Sequence, residues 1–172
     1  MDLGLQGRTA LVLGASKGIG KACALALGRE GANIMLGARG LTELAATAEQ
    51  IRQQTGARVE IGSVDVTQPC QCEAIVGAAR TAFGRVDILV NNAGGPPFGS
   101  FDGFDEAQWR AALELNPMSV VRFMKLVLPD MQAAGWGRII NITSLAVKSV
   151  LPGSILSTAG RLGVVGLSKL LA

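Results

Sequence analysis

The stretch "GASKGIG" places glycines at positions 14, 18 and 20, directly after the chain's first apolar run. Glycines so spaced let backbone approach a pyrophosphate, whose charge is received by free N–H groups at the start of the next helix. The same glycines also serve a tight strand-to-helix corner that binds nothing. Near the other end, "SILSTAGRLG" (154–163) carries Ser157 and, four residues on, Arg161, in a chain with no tyrosine and no histidine. An aliphatic hydroxyl ionises with difficulty and a guanidinium stays protonated, so Ser157 alone is a poor acid or base. Arg161 can stabilise a developing alkoxide, an effect worth roughly 3–4 kcal/mol per well-aimed donor. What would move a proton here is therefore the first question.

Such groups work only if the fold delivers them to one place. "TALVL" (9–13) reads as a short strand running into the glycine turn, and "GIGKACALALGREG" as a helix ending near Gly31. "NIMLG" (33–37) is a second strand; Leu41, Leu44, Ala45, Ala48 and Ile51 mark an amphipathic helix closed at Gly56. "VEIGSV" (59–64), a helix over 69–83 and "VDILV" (86–90) continue the alternation. "DEAQW" from Asp105 has the residue types of a capping box and opens a long helix; "RIINIT" (138–143) reads as a buried strand, and a last helix starts near Leu156. Apolar strands separated by helices predict a parallel sheet covered on both sides. In that architecture the glycine turn follows the first strand and opens a helix, and Asp65 in "VDV" ends the third strand, where open parallel sheets bind ligands.

Length and composition narrow the class. The 172 residues are 49% hydrophobic and 17% charged, with net charge +3, which fits one globular domain over 1–172 with a substantial core. Lys and Arg are scattered singly, so no nucleic-acid partner is expected. No leader or bilayer-length apolar run appears, so no membrane partner is expected and the reading is cytoplasmic. Cys70 and Cys72 form a C-x-C pair without further ligands, so no metal site is predicted. Cys23 shares a helix face with Ile19 and Leu27, which predicts core packing. The chain stops at Ala172 within a helical pattern, with no capping glycine and no following strand. It is expected to be cut short, with an exposed sheet edge.

Through "GASKGIG", "VDV", "NNAGG" (91–95) and "NITS" (141–144), in that order, the chain resembles the short-chain dehydrogenase/reductase family, including 3-oxoacyl carrier-protein reductases. The resemblance implies a Rossmann-type, doubly wound parallel α/β sheet that lacks the C-terminal part of the family fold. It implies that Gly14, Ser16, Gly18, Ile19 and Gly20 hold the pyrophosphate side, Asp65 and Val66 the adenine, and Asn92, Ala93 and Gly94 the adenosine ribose. Leu13 stands where the family usually has Thr. At the end of the second strand Arg39 replaces the carboxylate that would hold a bare ribose 2′-hydroxyl, and Lys17 adds a second cation. The pair favours a 2′-phosphate, hence NADP(H); the alternative is two ordinary surface cations.

On the chemical side the resemblance implies roles for Ser144 and for Asn116, seven residues after Trp109. Thirteen residues after Ser144, Ser157 and Arg161 stand where the family has Y-x3-K. Losing a placed proton donor typically removes ~10² to 10⁴ in rate. Lys148, four residues after Ser144, is a second candidate, either as a desolvated proton donor or as a solvated bystander. Pro117 should release the Leu113 carbonyl and bend the helix, leaving either a water site or a packing kink beside Asn116. "GGPPFGSF" (94–101) is a substrate-side rim or a plain connector. The expected function is an NADP(H)-dependent oxidoreductase moving hydride to or from a small carbonyl or alcohol, with Ser144 orienting the carbonyl, Arg161 supplying charge and Lys148 the proton. The alternative is a catalytically silent NADP(H)-binding sensor or partner subunit. By resemblance a homo-oligomer is expected, through apolar faces at "VVRFMKLVLPDM" and "LGVVGLSKLLA", though burial within one chain accounts for these faces too.

Overall fold

Alternation of apolar residues along the first strands decides which layer each side chain joins. Ala10, Val12, Ile34, Leu36, Ile88 and Val90 point to one face, while Leu11, Leu13, Met35 and Leu89 point to the other. The computed structural model describes residues 3–172. Its five strands are β1 (Thr9–Leu13), β2 (Asn33–Ala38), β3 (Val59–Ser63), β4 (Ile88–Asn91) and β5 (Arg138–Asn141). They form one parallel sheet in the order β3-β2-β1-β4-β5. This is the doubly wound arrangement expected from the sequence.

Helices α1 (Gly18–Arg29) and α2 (Leu41–Thr55) cover the first face, with Ala24, Leu44, Ala48 and Ile51 in the core. Helices α3 (Pro69–Phe83) and α5 (Ser119–Ala133) cover the second through Cys72, Ile75, Phe123 and Val127. The α2 helix closes at Gly56 in the left-handed conformation (φ 70°), as its spacing predicts. Cys23 and Leu27 pack partly buried against the first core, but Ile19 is 58% exposed at the mouth of the glycine turn.

Two expectations change. The long helix from Asp105 is interrupted: α4 (Glu106–Leu113) passes into a π-helical turn, Glu114–Met118, before α5. Its start is a full capping box, with Asp105 Oδ1 accepting from the Gln108 amide at 2.8 Å and the Asp105 amide donating to Gln108 Oε1 at 2.9 Å. The strand at 138–141 is not buried: Arg138 and Ile140 are exposed, because β5 is the last strand in the order and only α5 and the final helix α6 (Ile155–Leu171) pack near its other face.

The centre of the sheet is pinned at its opposite end by Asp87, only 3% exposed. Its carboxylate accepts from the Thr9 amide (3.0 Å), Arg8 Nη1 (3.3 Å) and Arg85 Nε (2.8 Å), fixing the entry of β1 beside β4. Asp87→Ala strands the buried Thr9 N–H, which costs about 1–3 kcal/mol. Denaturant unfolding of the two proteins should show that loss with an unchanged slope.

Candidate active site

At the C-terminal ends of the strands the chain turns away to both sides between β1 and β4, and ligand crevices in open α/β sheets form at such a switch point. A cleft of about 580 Å³ opens there, with walls from the exits of β1, β2, β3 and β4. It includes Gly14, Ser16, Lys17, Arg39, Asp65, Val66, Asn92, Ala93 and Gly94 among the residues singled out from the sequence. Gly18, Ile19 and Gly20 form the start of α1 rather than the cleft wall.

The three turn glycines are there for different reasons. A Cβ on Gly14 (φ 59°) would sit 2.4 Å from the Asn92 carbonyl oxygen, and one on Gly20 would sit 2.4 Å from Gly14 O. Those two glycines allow protein backbone to meet protein backbone. Gly18 (φ 58°) has no protein atom within 4 Å of that position. Lys17 caps α1 with extended backbone and no side-chain hydrogen bond, so no side chain competes for the first amides of the helix. A glycine with open space above it and uncapped helix amides fit a diphosphate. Arg39 and Lys17 are both exposed, and neither belongs to an ion pair among the described residues. Asp65 is held ionised: the Thr67 amide (3.0 Å) and hydroxyl (2.8 Å) on its Oδ1, and Arg39 more weakly, keep its carboxyl below the ordinary aspartate range.

Beside this cleft, and sharing Val66, Asn92 and Ala93 with it, lies a cavity of about 20 Å³ lined by amide and apolar side chains, room for roughly one water. Asn116 and Arg161 face it together. Asn116 sits in the π turn, buried, with Nδ2 donating to Ala112 O at 3.5 Å. Arg161 is 9% exposed; its Nη1 donates to Ile142 O (2.7 Å) and its Nε to Ser157 Oγ (3.1 Å). Burial lowers its pKa from the usual arginine range. The S-x3-R pair is thus one hydrogen-bonded unit.

Ser144 and Lys148 are not on the walls of that cavity. Ser144 caps a single 3₁₀ turn, Leu145–Val147, its Oγ accepting from the Ala146 amide at 3.2 Å. Lys148 follows that turn and is exposed. The rim segments are joined: Gly99 N donates to Gly153 O (2.8 Å), and Gly99 pairs with Ser154 as a parallel bridge.

A model of the short chain dehydrogenase family matches residues 8–172. The chain belongs to this family. It is 36% identical over 168 residues to D-beta-hydroxybutyrate dehydrogenase of Cupriavidus necator, covering 98% of this chain and 65% of that protein. It is 36% identical over 170 residues to 3-oxoacyl-[acyl-carrier-protein] reductase FabG of Vibrio cholerae, covering 99% and 68%. The structure of L-sorbose reductase from Gluconobacter frateurii, complexed with NADPH and L-sorbose, superposes with a TM-score of 0.95 at 34% identity, over 99% of this chain and 65% of that one. The chain therefore spans about 65% of the length of the relative and the structure first named here.

Several residues that shape the site are not found by spacing or motif. Thr47, buried on the core face of α2, donates to Ser16 O at 2.8 Å and clamps the glycine turn; a hydroxyl among Leu44, Ala48 and Ile51 was the available signal. Arg122 on α5 pairs with Glu114 at the head of the π turn and donates to Val66 O (3.4 Å), tying the two chambers together. A chain of amides orients Asn91. The Ser168 hydroxyl donates to Val164 O (2.7 Å) and so accepts from Asn141 Nδ2 (2.9 Å). Asn141 Oδ1 then accepts from Asn91 Nδ2 (2.8 Å), which leaves Asn91 Oδ1 buried without a hydrogen-bond partner among the described residues.

Gly160 allows α6 to touch the π turn. A Cβ there would lie 3.2 Å from Pro117 Cδ and 3.3 Å from Asn116 Cβ. Gly160→Ala asks for shifts of tenths of an ångström, whereas Gly160→Val overpacks the contact at a cost of about 1–3 kcal/mol. Thermal unfolding should put Val lowest, with Ala near wild type because its helix propensity, about 1 kcal/mol better than that of glycine, offsets the tight contact.

Proposed function

We propose that residues 1–172 form an NADP(H)-binding domain of an oxidoreductase that interconverts a small carbonyl compound and its alcohol. The observation that carries this reading is that the cleft with the glycine turn and the cavity with Arg161 and Asn116 are adjoining and share three wall residues. When bound, the nicotinamide cofactor supplies or accepts the hydride. Gly14, Ser16, Gly18, Ile19 and Gly20, with the α1 amides, receive its pyrophosphate. Arg39 and Lys17 receive the 2′-phosphate, Asp65 and Val66 the adenine, and Asn92, Ala93 and Gly94 the ribose. NADPH in the sorbose reductase complex supports the same choice here.

For the substrate, Ser144 orients the carbonyl and Arg161 stabilises the negative charge that develops on its oxygen. Ser157 keeps the guanidinium aimed, and Asn116 shapes the cavity beside it. Lys148 is the only ionisable side chain between residues 142 and 154, and on this reading it supplies the proton, directly or through water at Asn116. A reducing cytoplasmic setting accords with free cysteines at 23, 70 and 72. Exposed Leu113, Met118 and Leu162 are apolar positions suited to a homo-oligomer contact. A second reading, a nucleotide-binding protein without turnover, is favoured by the consumption of Ser157 as an acceptor for Arg161.

Titration with NADPH and NADH, followed by a carbonyl panel read at the nicotinamide absorbance, separates these readings. NADPH is expected to bind more tightly than NADH, and Arg39→Ala to weaken NADPH by about 10- to 100-fold with little effect on NADH. Equal affinity for the two would sink the phosphate assignment. Lys148→Met should lower turnover on an accepted substrate by about 100-fold or more while leaving NADPH affinity alone. Unchanged turnover removes Lys148 as the donor, and binding without turnover on every panel member favours the silent protein.

A further inference from the structure

Hydroxyls on the helices of this protein mostly bond to their own helix. Thr55, Thr81, Ser119, Thr158 and Ser168 each donate to the carbonyl four residues earlier, the local habit of such side chains. Thr47 does not. It lies at 2% exposure among Leu44, Ala48 and Ile51 on α2, and its hydroxyl leaves the helix to reach Ser16 O at 2.8 Å. Thr47 is not on the walls of the cleft, whereas Ser16 and Lys17 are, so any influence it has on a ligand passes through the glycine turn.

The bond fixes one peptide unit. A trans peptide is planar with its C=O and N–H on opposite edges, and the described residues hold no cis bond. Drawing Ser16 O toward α2 therefore turns the Lys17 N–H away from α2, and that N–H meets no protein acceptor among the described residues. One residue earlier the Ala15 amide donates to Gly37 O at 3.2 Å. The segment that carries Lys17 is thus tied at two successive residues to β2 and α2, and Arg39 stands between those ties, after Gly37 and before the first turn of α2. Lys17 and Arg39 are both exposed on the cleft and belong to no ion pair among the described residues, so their mutual repulsion works to part them. A phosphate received by both needs them held at a set separation. On the reading given under Proposed function, on which this inference rests, that group is the cofactor's 2′-phosphate. We infer that Thr47 is a positioning residue for it: the hydroxyl holds the Ser16–Lys17 peptide against α2 and so keeps Lys17, with its ammonium and its unshared N–H, in register with Arg39. Thr47 thereby contributes to the choice of NADPH over NADH without touching either.

The test titrates NADPH and NADH into the full chain and its variants and reads the ratio of the two dissociation constants, because a general loosening of the fold weakens both cofactors alike. Thr47→Val, which keeps the shape and removes the hydroxyl, is expected to lower the preference for NADPH about 3- to 10-fold. Thr47→Ser, which restores the donor, should keep it. Asp87→Ala, destabilised at the opposite end of the sheet, should leave the ratio at its wild-type value. An unchanged ratio in folded Thr47→Val overturns the inference, and so does an equal loss of preference in Thr47→Ser or in Asp87→Ala. If the valine variant does not fold, Thr47→Cys, of similar size and with only a weak S–H donor, is judged by the same criterion. A wild type that binds the two cofactors equally strikes the phosphate assignment and this inference with it. A wild type that prefers NADPH beside an unchanged Thr47→Val ratio strikes the role of Thr47 alone.

Discussion

At the exit of β1 the Gly14 backbone meets the backbone of Asn92 so closely that position 14 has no room for a side chain, and the working end of the molecule is built outward from that contact. The Gly14 turn lies against the Asn92 carbonyl, Gly20 lies against Gly14, and Asn92 Nδ2 donates to both Leu13 O (3.2 Å) and Gly14 O (3.3 Å). The turn is thereby held from the β4 side, while Thr47 holds it from α2 through Ser16 O. With both flanks fixed, α1 starts at Gly18, the one of the three turn glycines with open space around its Cβ position. Rigid support on the protein side and vacancy on the ligand side come from the same three residues placed two and four apart.

The second chamber depends on an equally close approach. Gly160 lets α6 reach the π turn, and that turn presents Asn116 to the cavity where Arg161 enters from α6. Proline at 117 has no N–H to donate to the helical ladder, so a regular helix through Leu113–Met118 would lose a bond there. The π turn accommodates the loss and widens the helix beside α6. Arg122 then joins the two chambers, since the guanidinium that pairs with Glu114 in the turn also reaches Val66 at the exit of β3. Displacing the π turn would therefore disturb the exit of β3 as well as Asn116.

Much of the fold was legible in the residues because the central strands β1, β2 and β4 are apolar on both faces and most helices have a start or stop signal of their own. The α3 boundaries, 69–83, follow from Pro69 at the first turn and Gly84 after the last. The capping box at Asp105 and the left-handed Gly56 were legible for the same local reason. What local sequence could not carry was set by neighbours distant in the chain. "RIINIT" reads as buried by composition, but burial depends on how many strands follow it in the sheet, and β5 has a partner on one side only. Ile19 shares a helical period with Cys23 and Leu27, yet its position at the N-terminus of α1 puts it at the cleft mouth instead of in the core. Thr47, Arg122 and the Asn91–Asn141–Ser168 chain bridge elements 27 to 56 residues apart, and no spacing rule exposes such bonds. Proline 117 announced an irregular helix, but its resolution as a π turn packed on Gly160 needed α6 to be placed.

By the resemblance Ser157 and Arg161 stand where the family has Y-x3-K, and in the proposed reading this changes what kind of help the site can give. A lysine near a phenol can share and lower proton affinities, so one pair can supply both charge and proton. An arginine stays protonated, and here both its Nε and its Nη1 are committed to Ser157 and Ile142. Charge and proton must then come from different residues. In the proposed reading Arg161 provides a positive charge that persists even with burial pulling its pKa downward, and Lys148 supplies the proton. In that reading a fixed buried cation stabilises negative charge formed on the substrate oxygen but does not give up its own proton.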